Sequence, residues 1–150
     1  MGIAAGFSVR RMTPTDLEMV RGWADGEGWN PGQGDAAIFH AADPTGFFLG
    51  ELDGVPISSV SLVAYDSQYG FLGLYIVRPE CRGRGYGIAT WREAIAYAGN
   101  RNVGLDGVVA QQDNYRKSGF RLAYHNLRYA AVGGGEAVPG IVPLASVPFE

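Results

Sequence analysis

The hexapeptide Arg82-Gly83-Arg84-Gly85-Tyr86-Gly87 carries the residue types and spacing best suited to chemistry in this chain of 150 residues. An apolar run, residues 70–77, leads into it, and an amphipathic stretch, residues 88–98, leads out. A glycine-rich turn between a strand and a helix points several backbone N–H groups one way. They converge at the positive end of the helix dipole, an arrangement that suits a phosphate group. Gly85 and Gly87 let the backbone approach such a group closely, and Arg82 and Arg84 add charge-assisted contacts.

Two phosphate-binding patterns fail on spacing. A dinucleotide fold requires G-x-G-x-x-G after its first strand. Counting from Gly83 gives Gly85 and then Ile88 where the third glycine belongs, and the motif lies in mid-chain. A P-loop requires Gly-Lys-Ser/Thr, whereas the first lysine of this chain is Lys117.

The elements that must position the turn follow from pattern. Residues 7–11 alternate weakly, as in an opening strand. Thr13 is an N-cap, Pro14 takes the first helical position and Asp16 lies near the positive dipole end. Leu17, Val20, Trp23 and Ala24 recur at helical spacing and supply a buried face. A breaker-rich stretch, residues 26–32, ends that helix. Asp35 caps a short second helix, residues 36–42, which Asp43-Pro44 stops. Strands at 47–52 and 55–65 flank Asp53-Gly54, a two-residue hairpin turn. A second turn leads into the strand 71–77. The helix from Gly87 is expected to bury Ile88, Trp91, Ile95 and Ala98. A strand at 102–110, a helical segment at 112–118 and a final strand at 120–131 complete the order β-α-α-β-β-β-α-β-α-β. This is an α/β chain with a mixed sheet flanked by helices.

Composition bounds the function. The chain is 47% hydrophobic and 18% charged, a globular balance. A domain of this size buries roughly 70% of its unfolded surface. Its 23 glycines are about double average usage. The net charge of −3 hides a split: residues 1–66 hold three arginines against nine acids, residues 67–128 nine basic residues against four acids. The positive half contains the glycine turn, as a polyanionic small ligand requires. Nucleic acid is not expected, given a pI near 5.3 and no Lys/Arg-rich run. One cysteine, Cys81, excludes an intramolecular disulfide. No apolar run reaches about 18 residues, so no membrane partner is expected and the chain reads as soluble and cytoplasmic. Residues 133–150 are Gly/Pro-punctuated and linker-like, yet Ile141, Val142, Leu144, Val147 and Phe149 are apolar enough to pack on something.

Arg82-x-x-Gly85-x-Gly87, following a strand that ends Val77-Arg78-Pro79-Glu80, resembles the acyl-coenzyme A signature of the GNAT family of N-acetyltransferases. Tyr115-Arg116-Lys117-Ser118-Gly119-Phe120 resembles the family's Tyr-x-x-x-Gly-Phe segment. The resemblance implies a GNAT fold over residues 1–132, with acetyl-coenzyme A as co-substrate and no metal. The turn's N–H groups, from Arg82 to Gly87 and on to Ile88, would hold the pyrophosphate. Backbone of Tyr75, Ile76 and Val77 would pair with the pantetheine arm and polarise the thioester. Tyr115 would be the general acid for the leaving thiolate. The family often carries Asn seven residues before that tyrosine; here the position is Val108, and Asn114 is the nearby polar candidate.

Residues 27–32, 40–48 and 105–112 further resemble a subgroup whose members often carry a second, C-terminal acetyltransferase-like domain. The implied partners are a small-molecule or peptide amine, with a homodimer or that second domain. The chain is therefore expected to be a piece of such a protein or a single-domain relative, with residues 133–150 leading to the further domain. Glu27 and Trp29 are expected to line the acceptor pocket. Glu27, Asp106 and Glu51 are candidate bases, while His40, His125 and Cys81 read as packing or surface residues. The alternative to an enzyme is a noncatalytic module that binds acyl-coenzyme A and acts through protein contacts.

Overall fold

The computed structural model describes residues 4–127, 129, 130, 132, 134, 139–142 and 144–148. Strand β1 (Phe7–Arg11) enters helix α1 (Pro14–Gly26) through a reciprocal capping box. The Thr13 hydroxyl accepts from the Asp16 N–H at 3.2 Å, and the Asp16 carboxylate accepts from the Thr13 N–H at 2.8 Å. Such a cap stabilises a helix by about 1 kcal/mol. Arg10 extends it, pairing with Asp16 at 2.6 Å and with Glu51 at 2.8 Å.

Helix α2 (Asp35–Ala42) precedes a run of three strands, β2 (Phe47–Leu52), β3 (Val55–Ala64) and β4 (Tyr69–Val77). Asp53 and Gly54 both take positive φ, 50° and 78°, the geometry that a two-residue hairpin needs. Helix α3 (Tyr86–Ala98), strand β5 (Asn102–Leu105) and helix α4 (Gln112–Lys117) follow. The five strands lie in the order β1-β2-β3-β4-β5, antiparallel except for the parallel β4–β5 pair. None of the helices is long and apolar enough to cross a membrane among the described residues.

Period-2 alternation splits the core between the two faces of the sheet. Phe47, Leu49 and Val63 pack with Met12, Leu17, Val20 and Ala36 against α1 and α2. Phe48, Val60, Leu62 and Leu72 pack with Trp91, Ala94 and Ala98 of α3. Asp43, the residue that stops α2, is itself buried and accepts from the Ala64 N–H, the Thr45 hydroxyl and the Tyr97 hydroxyl.

Four sequence expectations need correction. Asp35 is the first residue of α2 rather than its cap: Gly34 is the N-cap, with no side-chain cap, and the Asp35 carboxylate accepts from the Gly32 N–H at 2.9 Å. Helix α3 buries Trp91 and Ala98, but Ile88 and Ile95 are 43% and 37% exposed. Its packed face is made of Gly87, Thr90, Trp91, Ala94 and Ala98, because small side chains let the helix lie close on the sheet. The Thr90 hydroxyl donates to the Tyr86 carbonyl at 3.0 Å and meets the Ser58 hydroxyl at 2.7 Å, which fixes that approach. Strand β5 stops at Leu105 rather than 110. Gly107 then packs on the Tyr115 ring so closely that a Cβ would collide with it, and a 3-10 turn follows at Val109–Gln111. The segment expected as a final strand contains no strand among its described residues, 120–127, 129 and 130; residues 128 and 131 lie outside the description.

Candidate active site

The site begins where β4 and β5 part. They pair only from Tyr69 with Asn102 to Leu72 with Leu105. Beyond that point β4 runs on to Val77 with no strand on its outer edge among the described residues. On its inner edge the register with β3 slips: Ser61 faces Gly73 and Ser59 faces Ile76, so Leu74 and Tyr75 together oppose Val60. This is a β-bulge, and Leu74 sits in it at φ 47°, an uncommon conformation for a residue with a side chain. The buried Ser59 hydroxyl donates to the Leu74 carbonyl at 2.7 Å. The C=O and N–H of a planar trans peptide point in opposite directions. The Tyr75 N–H is therefore turned away from Ser59, towards the side on which β5 has diverged.

A cavity of about 300 Å³ opens there, lined by Trp29, Gly73, Leu74, Tyr75, Asp106 and Tyr115 among others. Tyr115 projects from α4 and is held by aromatic packing. Its ring stacks on Trp91 at 6.0 Å, and Trp91 in turn meets Tyr75 edge-on at 5.0 Å and Phe120 at 5.9 Å. Burial pushes the Tyr115 hydroxyl above its ordinary value; burial, with a smaller contribution from Tyr115, does the same to Tyr75. Both phenols thus keep their protons at neutral pH. A larger groove of about 720 Å³ lies along β5 and residues 118–126, and Tyr115 borders it as well.

Past the far end of β4, a 3-10 turn at Pro79–Cys81 leads into the glycine turn. Gly83 and Gly85 take φ of 74° and 87°, and a Cβ at either would meet open space. Gly85 is the N-cap of the 13-residue α3 and, having no side chain, supplies no side-chain cap to its first turn. The first-turn N–H groups of a helix have no intrahelical partners, and a start of this kind suits an anion. Gly87 also serves packing: a Cβ there would run into Val77 Cγ2 at 2.7 Å and the Tyr75 hydroxyl at 2.8 Å.

The other sequence-derived residues fall in distinct places. Tyr86 is a core residue, stacked on Phe7 at 5.1 Å, and contributes to the turn through its backbone. The Arg84 guanidinium lies over the Tyr86 ring, 5.2 Å from its centre. Arg82 donates from Nε to the Val77 carbonyl at 2.8 Å and forms an ion pair with Glu27. Glu27 thus faces the end of β4, and the cavity lining contains Trp29 but not Glu27. The Asn114 amide donates to Gln111 Oε1 at 2.7 Å and also lies outside that lining. The Ile76 side chain is buried, whereas Ile88 is exposed. Among the candidate bases, Asp106 lines the cavity and accepts from Asn126 at 3.0 Å, while Glu51 is held by Arg10. His40 packs on Phe47 at 5.8 Å, Cys81 is buried with Ile57 and Tyr86, and His125 is exposed. Ser59 and Trp91 were not singled out for the site by sequence. The signal for Ser59 was present: Ser58-Ser59 and Ser61 interrupt an otherwise apolar strand.

A parted mixed sheet, a bulged strand beside the gap and a glycine turn at a helix start are the features that the fold brings together. The chain belongs to the Acetyltransferase (GNAT) family, whose family model matches residues 14–120. The holothin acyltransferase of Pseudoalteromonas sp. (strain SANK 73390) is 39% identical over 122 residues, which is 79% of this chain and 42% of the relative. The chain thus spans about two-fifths of that relative's length. Among solved structures, Ard1 from Thermoplasma volcanium superposes with a TM-score of 0.70 at 20% identity, covering 80% of this chain and 86% of that one. N-acetylglutamate synthase from Neisseria gonorrhoeae, complexed with coenzyme A and L-arginine, gives 0.66 at 16% identity, over 81% of this chain and 28% of that one. These likenesses concern the fold.

Proposed function

We propose that this chain is an N-acyltransferase that moves an acetyl group from acetyl-coenzyme A to an amine by direct attack. The observation that carries the reading is the shared 300 Å³ cavity, bordered by the bulge at Leu74–Tyr75 and by Tyr115. The thioester lies against the outer edge of β4, with its carbonyl oxygen at the Tyr75 N–H. The pantetheine arm pairs with Ile76 and Val77, and the pyrophosphate rests on the N–H groups of residues 83–88. The Neisseria gonorrhoeae enzyme, part of which shares this fold, is complexed with coenzyme A, which supports that donor. Similarity to holothin acyltransferase supports acyl transfer as the chemistry.

The neutral amine attacks the carbonyl carbon, and negative charge develops on the oxygen facing the Tyr75 N–H. The C–S bond then breaks and Tyr115 gives its proton to the departing sulfur. Asp106 is the cavity carboxylate best placed to take the amine proton, and Trp29 forms the acceptor wall. Residues 1–132 make up the catalytic unit, acting in the cytoplasm on a small-molecule or peptide amine.

The test is thiol release from acetyl-coenzyme A with a panel of amines, for wild type and Tyr115→Phe. Amine-dependent release that drops in the variant supports the reading. Absence of release with every amine, despite tight acetyl-coenzyme A binding, would leave a binding module in its place.

A further inference from the structure

We propose that Ser59 is a positioning residue for the transfer step, acting through the peptide between Leu74 and Tyr75. The inference rests on the acyl-transfer reading above. Its geometric basis is independent of that reading, because it concerns how one peptide plane is held.

Ser59 lies on β3 with no exposed surface, and its hydroxyl has one hydrogen-bond partner among the described residues, the Leu74 carbonyl at 2.7 Å. Leu74 occupies the left-handed region at φ 47°, where a branched side chain is disfavoured. Such a conformation persists only where the surroundings determine it, and it concentrates at functional sites. Two features determine it here. The register slip between Ser59 and Ser61 supplies the extra residue, and the Leu74 side chain packs against the core beneath α1. The Ser59 hydroxyl then fixes the rotation of the peptide. With the carbonyl drawn towards β3, the Tyr75 N–H must face the cavity that Trp29, Asp106 and Tyr115 share. A freely rotating peptide would offer that N–H to the thioester only part of the time. Preorganised donors act because they need no reorientation as charge develops.

Ser59 touches neither donor nor acceptor, so its removal should change the transfer step and leave donor affinity alone. Deleting a donor to a developing oxyanion costs roughly 10²–10³ in kcat; loosening one should cost about 10- to 100-fold.

The experiment uses acetyl-coenzyme A labelled with ¹³C at the thioester carbonyl, bound to wild type, Ser59→Ala, Ser59→Cys and Ser59→Thr. Isotope-edited infrared spectroscopy reads the carbonyl stretch, alongside kcat and KM. The expected result is a lowered stretch in wild type and Ser59→Thr, and a return towards the solution value in Ser59→Ala. There kcat falls and KM for acetyl-coenzyme A stays within twofold. Ser59→Cys, a near-isosteric but weaker donor, gives an intermediate stretch and is read alone if the alanine variant does not fold. A wild-type stretch equal to that in solution, or an unchanged stretch in the alanine or cysteine variant, overturns the proposal. Failure of wild type to bind acetyl-coenzyme A overturns the cofactor reading itself, and this inference with it.

Discussion

Tyr115 stacks on Trp91 with ring centroids 6.0 Å apart and planes 27° from parallel, so a residue of the small helix α4 is aimed by a residue of α3. Trp91 is 5% exposed and also meets the Tyr75 ring edge-on. Trp91→Ala should destabilise the domain by about 3–5 kcal/mol, a large part of a typical folding free energy. Trp91→Phe is the informative variant. It should retain the fold by thermal melting and lower kcat more than it raises KM for acetyl-coenzyme A, because the platform under Tyr115 shrinks.

Tyr115 carries the predicted pH dependence. Burial raises its hydroxyl above the ordinary 10, so its proton is present at neutral and mildly alkaline pH, as the proposed acid requires. The rate constant kcat/KM should rise with pH as the amine loses its proton, without a descending limb below about pH 10. Tyr115→Phe should reduce kcat by about 10²–10⁴-fold. A wild-type profile that turns down near pH 8 would count against Tyr115 as the acid.

Two glycines should separate binding from chemistry. Gly85 has φ 87° and open space at its Cβ position, on the face of the turn. Gly85→Ala should cost about 1–2 kcal/mol of stability from the left-handed backbone. It should also raise KM for acetyl-coenzyme A at least tenfold while leaving saturated kcat nearly intact. Gly107→Ala puts a methyl group onto the Tyr115 ring, so kcat should fall instead. Steady-state kinetics on the two variants reads the contrast directly.

Acid stability should report the cap of α1. The side-chain hydrogen bond from Arg10, then those from the Thr13 N–H and hydroxyl, outweigh burial and hold the Asp16 carboxyl well below the carboxylate range. A carboxylate depressed on folding contributes stability that is fully present above its unfolded value, about 3.9, and is lost as pH falls towards the folded one. Urea midpoints should therefore be flat between about pH 5 and 7 and decline below about 4. Asp16→Asn should flatten part of that decline. Some should remain, because hydrogen bonds to Asp43 overcome its burial and lower its value too.

Local signals were the readable ones. Strand β1 has the bounds that alternation predicts, β2 those that the Asp53-Gly54 turn predicts, and Thr13, Pro14 and Asp16 form the cap that their order predicts. The hairpin at Asp53-Gly54 follows from backbone needs that few other residues meet, whereas α3 starts at Tyr86, one residue before the Gly87 that the sequence suggests. What escaped was set by tertiary packing. The exposed sides of Ile88 and Ile95 reflect how closely α3 approaches the sheet, and bulk hydrophobicity does not encode that distance. The early end of β5 depends on Gly107 meeting a ring eight positions further along. The ion pair of Arg82 with Glu27 joins residues 55 apart. The bulge at Leu74 was invisible because a leucine gives no sign of left-handed backbone.

The most direct measurement is calorimetric titration of the chain with acetyl-coenzyme A and, separately, with acetyl-pantetheine, which lacks the pyrophosphate. Binding of acetyl-coenzyme A at one site per chain is expected, at least tenfold tighter than acetyl-pantetheine and weakening as salt rises. Equal affinities for the two, or no binding of acetyl-coenzyme A, would contradict the claim that the turn from Arg82 to Gly87 holds the donor's pyrophosphate.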